Sequence, residues 1–295
     1  MDRNEKHKAG FVNIFGPPNV GKSTLINALI GEQIAIVSPK VQTTRHRIHG
    51  FLSGEDYQII FSDTPGIIEP KYKLHQQMMK HIKNALEDVD VAILMADIDT
   101  DPEEFGRMVK ELNIKTKTIF LLNKVDLVKK KKDLKHLIEE FNSYINADYF
   151  FPISIEKGLD KEELLKIIIK YLPFAPAFFP KEDISDRNMR FFVSEFIREQ
   201  IYYVYEQEIP YHTAVLIQEY TEEDHITRIN ADIIVGRESQ KRILIGKGGS
   251  KIKELGIASR KRIEDFIGKQ VYLELFVKVR PKWRDNQIFL KEYGY

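Results

Sequence analysis

Cysteine is absent from this sequence, and so are long hydrophobic runs. Without cysteine the chain can form neither a disulfide framework nor a metal site with thiolate ligands, as is typical of proteins from a reducing cytosol. Its longest strongly apolar runs, such as VAILMA at residues 91–96, are far shorter than the roughly 20 residues that span a bilayer. The N-terminal residues MDRNEKHKAG lack the apolar region of a signal peptide. We therefore expect a cytoplasmic protein.

An excess of either charge is missing as well. The 295 residues include 45 Lys and Arg against 44 Asp and Glu, so the net charge is +1 and any attraction to nucleic acid must come from local clustering. This length predicts two domains. Three prolines within residues 173–180 interrupt helices and indicate a linker. We place the domains at residues 1–172 and 187–295, with the linker at 173–186.

Short apolar runs alternate with helical segments in the first domain. This alternation predicts an α/β fold with a mainly parallel sheet and helices on both faces. Strands are predicted where the sequence is apolar enough for burial on both faces: 11–15, 57–61, 89–95, 118–122 and 149–153. The second domain has an α+β pattern: a helix at about 187–206, strands at about 213–220 and 226–235, two helices around 238–267, and a strand at 271–279.

The motif GPPNVGKS follows the first strand and precedes a helix. A glycine-rich loop at such a place turns its backbone N–H groups toward an anion, while Lys22 reaches the terminal phosphates of a nucleotide and Ser23 offers a hydroxyl to Mg²⁺. A match to this spacing arises by chance in about one chain in a hundred, so a structural turn is the weaker interpretation. The predicted phosphate-binding residues are Gly16, Pro17, Pro18, Asn19, Val20, Gly21, Lys22, Ser23 and Thr24.

The motif DTPG follows the second predicted strand. Asp63 can hold Mg²⁺ through a water molecule, and Gly66 can donate its backbone N–H to the γ-phosphate. Thr64 and Pro65 lie between them and complete the predicted site. Asp, Pro and Gly are also common in turns, so an ordinary turn is an equal alternative for this segment by itself.

The motif NKVD follows the fourth predicted strand and indicates which base is bound. The Asp126 carboxylate can accept hydrogen bonds from N1–H and the exocyclic amine of guanine, whereas adenine would leave it unpaired at a cost of about 1–3 kcal/mol or more. We expect Asn123 to connect this loop to the phosphate loop. We expect the aliphatic stem of Lys124 to cover the base, and Val125 belongs to the same predicted site. The alternative is a polar loop without a ligand.

The segment PISIEKG at residues 152–158 follows the last predicted strand of the first domain. The backbone N–H groups of Ile155 and Glu156 are candidates for donation to guanine O6. Ser154 belongs to the same predicted site, and its alternative role is to cap the following turn. This motif is weak by itself and gains its meaning from the motifs before it.

The segment ILIGKGGSKIKELG at residues 243–256 contains a GxxG loop between two predicted helices. Such a loop lets a nucleic-acid backbone approach closely, because glycine has no side chain. From residue 237 to residue 262, nine Lys and Arg stand against two Glu, a local net charge of +7. A solvated amphipathic helix is the alternative. The predicted RNA contacts are Gly246, Lys247, Gly248, Gly249, Lys251, Lys253 and Arg260.

The sequence contains one tryptophan, Trp283, close to the C-terminus. Its neighbours in KVRPKWRDN, residues 278–286, include four basic residues. Stacking on an RNA base is one possible role for this side chain. Packing inside the domain is the alternative, and it is the more common role of a lone tryptophan.

The forms GxPNVGKS, QTTR and DTPG resemble the Era branch of the translation-factor-like GTPases, and the element order of the second domain resembles a prokaryotic-type (type II) KH domain. The resemblance covers almost the whole chain. It implies a P-loop GTPase domain followed by a KH domain, with GTP and GDP as ligands and Mg²⁺ as cofactor. It also implies binding to the single-stranded 3′ end of small-subunit ribosomal RNA and a role in maturation of the small ribosomal subunit.

The same resemblance implies that the loop VQTTRHR at residues 41–47 is the first switch, with Thr44 as its Mg²⁺-binding threonine and Thr43 as the alternative. Ile67 stands where some GTPases have a water-orienting glutamine, so we expect slow intrinsic hydrolysis. Charge and positioned backbone groups then carry the reaction. The predicted catalytic residues are Lys22, Ser23, Thr44, Asp63 and Gly66.

Two expectations about charge near the phosphates stay open at this point. In related GTPases an asparagine at the position of Asn19 supports a K⁺ ion, and stabilisation of the loop is an equal alternative. Arg45 and Arg47 are candidates for an arginine that assists hydrolysis. Contacts of these two arginines with solvent or RNA are the favoured interpretation.

Two other functions are compatible with parts of the sequence. The first is a P-loop kinase or ATPase, against which NKVD argues. The second is an RNA-binding protein that uses GTP only as a structural ligand, an interpretation that the missing glutamine leaves open. A monomeric state and a peripheral contact with the cytoplasmic face of the inner membrane complete the expectations.

Overall fold

The computed structural model describes residues 7–40, 43–129 and 131–295, except the side chains of Lys131 and Lys132. Residues 1–6 of the charged N-terminal segment MDRNEKHKAG, and Val41 and Gln42 of the first-switch motif, lie outside the described residues. The chain forms two compact units. Of the described residues, the first comprises those within 7–35, 44–69 and 78–186, and the second comprises those within 36–40, 43, 70–77 and 187–295. The proposed linker at 173–186 is thus part of the first unit.

A six-stranded sheet forms the centre of the first unit. Its strands are β1 (Lys8–Phe15), β2 (Ile48–Ser53), β3 (Tyr57–Asp63), β4 (Val91–Asp97), β5 (Lys117–Asn123) and β6 (Tyr149–Pro152). They lie in the order β2-β3-β1-β4-β5-β6, with β2 antiparallel to β3 and the other described pairs parallel. The mainly parallel sheet is confirmed. The strand β2 is missing from the sequence prediction, because IHGFLS has glycine and polar residues in place of a continuous apolar run.

Helices alternate with these strands, and aspartate side chains cap the N-termini of two of them. The helices are α1 (Lys22–Ile30), α2 (Lys73–Glu87), α3 (Pro102–Leu112), α4 (Lys131–Tyr144) and α5 (Lys161–Tyr171). At the start of α3, the carboxylate of Asp101 accepts a hydrogen bond from the N–H of Glu104 at 2.7 Å, and Pro102 occupies the first helical position. The helix ends at Asn113, whose φ of 50° is left-handed.

The second unit contains the predicted α+β domain, which is confirmed. Its elements are α6 (Met189–Val204), β7 (Ala214–Glu222), β8 (Ile226–Val235), α7 (Glu238–Ile245), α8 (Ser250–Ile267), β9 (Gln270–Val279) and α9 (Gln287–Glu292). The sheet has the order β7-β8-β9, with β7 antiparallel and β9 parallel to β8. Trp283 is 1% exposed and donates from Nε1 to the His212 carbonyl at 3.2 Å, so it packs inside the unit.

Within the described ranges, no helix is both long and apolar enough to cross a membrane.

Candidate nucleotide site and nucleic-acid interface

The phosphate loop connects the carboxyl end of β1 to the start of α1. Gly21 precedes the helix with a φ of 106°, which glycine adopts without strain, and no described side chain caps the helix N-terminus. The first N–H groups of α1 are therefore available to an anion. At the other end of the loop, a Cβ on Gly16 would lie 2.1 Å from the Met95 carbonyl oxygen, so this position requires glycine.

Lys22 lies at the start of α1 with its amine buried in the loop. The Nζ atom donates to the carbonyl oxygens of Gly16 at 3.1 Å and Pro17 at 2.7 Å. Burial lowers the pKa of Lys22 to about 8, and the negative charge of Asp63 opposes this shift. The loop thus holds a cation that has lost much of its hydration, and a phosphate group would stabilise its charge.

Three side-chain oxygens converge next to Lys22. The Ser23 hydroxyl donates to Asp63 Oδ2 at 2.8 Å, the Thr44 hydroxyl donates to the same oxygen at 3.1 Å, and the two hydroxyls are 3.0 Å apart. Hydroxyl and carboxylate oxygens are the ligands that Mg²⁺ takes in nucleotide sites, so this set fits the ion. The structure thus brings together residues that are about 20 and 40 positions apart in the sequence.

The alternative threonine of the first switch is engaged elsewhere. The Thr43 hydroxyl donates to the Lys40 carbonyl at 2.7 Å and lies 2.8 Å from the Ser38 hydroxyl. Its side chain is therefore held within its own loop. Of the two threonines, Thr44 is the one that the structure places beside Ser23 and Asp63.

The DTPG motif lies against the phosphate loop. A Cβ on Gly66 would come within 2.9 Å of the Pro18 ring, so the two loops are in close contact there. Thr64 donates to the Ile14 carbonyl at 3.0 Å and, like its neighbour Pro65, is buried. Ile67 packs against the apolar core of the first unit. The position after Gly66 thus presents an alkyl group directed into the protein.

The NKVD loop is joined to the phosphate loop as the sequence suggested. Asn123 donates from Nδ2 to the Val20 carbonyl at 2.9 Å. Asp126 is exposed, and one of its carboxylate oxygens accepts from the Ser154 hydroxyl at 2.6 Å. Ser154 also accepts from the Lys157 N–H at 3.2 Å, so it both caps the following turn and orients the carboxylate.

The Ile155 N–H is used differently from the prediction. It donates to Asn123 Oδ1 at 3.3 Å, whereas we expected it to be free for guanine O6. A bond of this length lies beyond the usual range for N–H···O bonds and is weak, so a base oxygen can replace it. Glu156 is exposed beside it.

Asp97, at the carboxyl end of β4, is a site residue that sequence reasoning missed. Its Oδ2 atom lies 2.6 Å from the amine of Lys124. The available signal was an acidic residue at the end of an otherwise apolar strand, VAILMAD. In a parallel sheet this end faces the ligand side, so a charged residue there is informative.

Both arginines that follow Thr44 are buried. Arg45 is 2% exposed. Arg47 makes a two-point ion pair with the Asp88 carboxylate, each N···O distance being 2.7 Å, and its Nε donates to Ser62 at 2.9 Å. The favoured interpretation of these residues as contacts with solvent or RNA therefore does not agree with their burial.

The GxxG loop joins α7 to α8 in the second unit. Gly246, Gly248 and Gly249 all have left-handed φ values, of 73°, 60° and 80°. A Cβ on Gly248 or Gly249 would meet no atom within 4 Å, so packing inside the protein does not explain the missing side chains. Their absence leaves the backbone of the loop open to a ligand.

A groove of about 390 Å³ lies between α8 and β9, the two elements that follow this loop. Ile257 and Tyr272 are 55% and 46% exposed there, so the groove presents apolar surface to solvent. The predicted contacts Lys253 and Arg260 line the same groove. The lining residues are Ile252, Lys253, Gly256, Ile257, Arg260, Val271, Tyr272, Leu273 and Leu275.

The basic residues of this region do not all face solvent. Arg262 lies 3.9 Å from the ring centre of Phe196 and donates to Glu199 at 3.0 Å, so it stabilises the packing of α8 on α6. Lys247 and Lys251 are exposed, and Lys251 pairs with Glu254 at 2.9 Å. Exposed cations thus lie at the GxxG loop, as Lys247, and in the groove, as Lys253 and Arg260.

Two known protein families match parts of this chain. Residues 11–124 match the family described as 50S ribosome-binding GTPase, and residues 208–284 match the KH domain family. GTPase Era of Staphylococcus haemolyticus (strain JCSC1435) is 44% identical over 296 residues, and GTPase Era of Staphylococcus epidermidis (strain ATCC 35984) is 43% identical over 293 residues. Each alignment covers 98% of this chain and 98% of the relative.

Two solved structures are similar over almost the whole chain. One is Era in complex with MgGDPNP and nucleotides 1506–1542 of 16S ribosomal RNA, and the other is a substituted Aquifex aeolicus Era bound to GDP and aluminium fluoride. Each has a TM-score of 0.90 and 39% sequence identity, and the match covers 98% of this chain and 99% of the other.

Proposed function

Since this chain belongs to the Era family of GTPases, we propose that it is a GTP-driven switch that binds the single-stranded 3′ end of small-subunit ribosomal RNA. Its role would be in maturation of the small ribosomal subunit. The observation that carries the proposal is the convergence of Ser23, Thr44 and Asp63 beside Lys22, in a chain that also has an open GxxG loop. The similar Era structure contains nucleotides 1506–1542 of 16S ribosomal RNA, which supports the choice of RNA.

Ser23 and Thr44 would hold Mg²⁺ together with Asp63, the latter through water. When bound, the ion would neutralise charge on the β- and γ-phosphates. Protonated Lys22 places a second positive charge at these phosphates, and the Gly66 N–H donates to the γ-phosphate. Ile67 supplies no group that could orient water, so the positioned backbone and these charges carry a slow intrinsic hydrolysis.

The base assignment is tested by replacing one carboxylate oxygen of Asp126 with an amide NH2 group. Asp126→Asn should weaken GTP binding and improve binding of xanthosine triphosphate, whose base has an acceptor in place of the guanine amine. Both nucleotides are titrated against both proteins. Asp99→Asn, which removes an exposed carboxylate from another loop of the same unit, is the control. An unchanged preference in Asp126→Asn would show that the base lies elsewhere.

The RNA assignment is tested at the GxxG loop. Replacing Lys247 and Gly248 by aspartate puts negative charge against the RNA backbone, so affinity for a short single-stranded RNA should fall steeply. The dependence of log affinity on log salt should become shallower by roughly 0.7 for each phosphate group that the variant no longer binds. Fluorescence anisotropy at several salt concentrations measures both. Lys166→Asp, on an exposed face of α5, is a charge reversal in the first unit and should change neither.

GTP binding of the loop variant shows whether the first unit stays functional. The nucleotide residues belong to the first unit, so GTP affinity and basal hydrolysis should persist while RNA binding disappears. If the double variant binds RNA with the affinity and salt dependence of the wild type, the basic stretch is a solvated face and the assignment is wrong.

The two alternative functions have direct tests. A kinase or ATPase would be revealed by competition of ATP with GTP, which the Asp126 carboxylate should prevent. A protein that uses GTP only as a structural ligand would show no turnover, even with excess RNA or small ribosomal subunits. Hydrolysis that rises under these conditions supports the switch.

A K⁺ site at Asn19 is part of the proposal as well. The backbone of Asn19 has a left-handed φ of 64°, a conformation that asparagine tolerates better than most residues, which also suits a purely structural role. Faster hydrolysis in KCl than in NaCl at equal ionic strength, abolished in Asn19→Ala, would support the ion. Equal rates in the two salts would favour the structural role.

Cytoplasmic location, a monomeric state and a peripheral membrane contact complete the proposal. Fractionation of cells would test the location, and light scattering would test the monomer. Sedimentation with vesicles of anionic lipid would test the membrane contact.

A further inference from the structure

The amine of Lys124 is held on two sides. It lies 2.6 Å from Asp97 Oδ2 and donates to the Asn19 carbonyl at 3.1 Å. The Asp97 side chain is 10% exposed and the Lys124 side chain is 35% exposed, so the pair is partly shielded from water. This ion pair joins the end of β4 to the base-binding loop and to the phosphate loop.

The Asp97 carboxylate is itself fixed within its own turn. Its Oδ1 atom accepts from the Thr100 hydroxyl at 2.8 Å and from the Asp99 N–H at 3.2 Å. The Thr100 hydroxyl in turn accepts from the Asp97 N–H at 3.1 Å. These bonds are local and do not involve a nucleotide, so the carboxylate has a defined position before any ligand arrives.

We propose that Asp97 is a positioning residue for guanine-nucleotide binding, which it serves by fixing Lys124 and, through its amine, the Asn19 carbonyl. The inference rests on the proposed role of the Lys124 stem as the cover of the base. A lysine with a free amine samples many rotamers in water, and ordering it would oppose binding. Because Asp97 anchors the amine in advance, the stem is already ordered when the nucleotide binds.

The same pair also joins the two loops that hold opposite ends of the nucleotide. Asn123 makes one connection, to Val20, and Lys124 makes another, to Asn19. Nucleotide dissociation requires these loops to separate or loosen. Asp97 should therefore slow the release of GDP and GTP while leaving the chemical step unchanged.

The test uses the full-length chain with Asp97→Ala and Asp97→Asn. We expect Asp97→Ala to release a fluorescent GDP analogue faster by about tenfold, the size expected for the removal of one charge-assisted hydrogen bond. Asp97→Asn keeps the shape and an acceptor, so its effect should be smaller. The KM for GTP should rise, with kcat within about twofold of the wild type.

A double-mutant cycle separates positioning from a general structural role. In a Lys124→Ala background, Asp97→Ala should change the release rate little, because its partner is gone. Asp99→Asn removes an exposed carboxylate two residues away and should release GDP at the wild-type rate. Thermal unfolding without nucleotide shows whether each variant is folded. If Asp97→Ala is not folded, the release rate of Asp97→Asn is used in its place.

Two results would overturn the inference. One is wild-type GDP release from a folded Asp97→Ala protein. The other is an equal acceleration in the Lys124→Ala background, which would assign Asp97 a structural role. Asp126→Asn is measured in parallel: if its base preference switches while Asp97→Ala has no effect, only the positioning role is wrong. If neither variant responds, the base site itself is misplaced.

Discussion

At the scale of single residues, burial and a neighbouring charge have opposite effects on the pKa of Lys22. The ordinary lysine pKa of 10.5 falls to about 8 because the amine is buried, in spite of Asp63 nearby. At pH 7 the amine is still charged, which is the form that phosphates require. At pH 8, the Lys22 amine is uncharged in a substantial fraction of the nucleotide-free protein molecules.

This shift predicts that GTP binding takes up protons. Near pH 8, roughly half of the Lys22 amines are neutral and must be protonated when phosphates bind. Uptake should be small at pH 7 and grow toward pH 8.5, and affinity should weaken above pH 8. Calorimetry in buffers of different ionisation enthalpy measures the uptake. A proton count near zero at both pH values would contradict the buried cation.

The same pKa has a consequence for stability. Without nucleotide, the unfolded chain keeps this proton up to about pH 10.5, whereas the folded chain loses it near pH 8. The unfolded state therefore binds more protons in this window. The contribution of Lys22 to folding stability rises with pH from about 8 to 10.5 and is constant below.

At the scale of elements, the groove between α8 and β9 combines apolar and charged contacts that can be separated. Ile257 on α8 presents an exposed apolar surface, and Arg260 lies one turn further along the same helix. An apolar contact is insensitive to salt, whereas a phosphate contact releases counterions. The two residues should therefore contribute to RNA binding in different ways.

We predict that Ile257→Ser weakens binding of single-stranded RNA without changing the salt dependence. Arg260→Gln should also weaken binding, and its salt slope should fall by roughly 0.7. Anisotropy titrations over a range of salt concentrations compare the two. Replacement of Lys166, on α5 of the first unit, provides a baseline for charge removal. Equal slope changes in both variants would show that Ile257 acts only through the position of α8.

At the scale of the whole molecule, neither compact unit is one continuous stretch of the sequence. Residues 36–40 and 43 belong to the second unit, together with α6. There, the Val37 N–H donates to Glu199 at 3.0 Å, and the Lys40 amine donates to the Tyr202 carbonyl at 2.6 Å. Residues 36–40 are thus packed as part of the unit that carries the KH fold.

Hydrogen exchange should detect this packing. The Val37 amide is predicted to be protected, and Glu199→Ala, which removes the acceptor of both Val37 and Arg262, should speed its exchange by at least about tenfold. Exchange of amides in β8, the central strand of the sheet of the second unit, is the reference for the stability of that unit. Fast exchange of Val37 in the wild type would mean that its hydrogen bond to Glu199 does not persist in solution.

Sequence by itself determined the features that depend on local spacing. The loop GPPNVGKS, the GxxG loop and the order of helices and strands are set by residues close together in the chain, where glycine conformation, helix caps and apolar periodicity act directly. These patterns predicted both folds and most candidate residues. The edge strand β2 was missed because a partly polar strand lacks such a signal.

Tertiary structure alone decided which distant side chains meet. Whether Thr43 or Thr44 lies beside Ser23 depends on how the first switch loop crosses the ends of β1 and β3, and no local spacing encodes that path. The pairing of Lys124 with Asp97, and the burial of Arg47 against Asp88, are likewise contacts between separate elements. Such pairs form because the sheet brings the strand ends together, and only the packed fold fixes their distances.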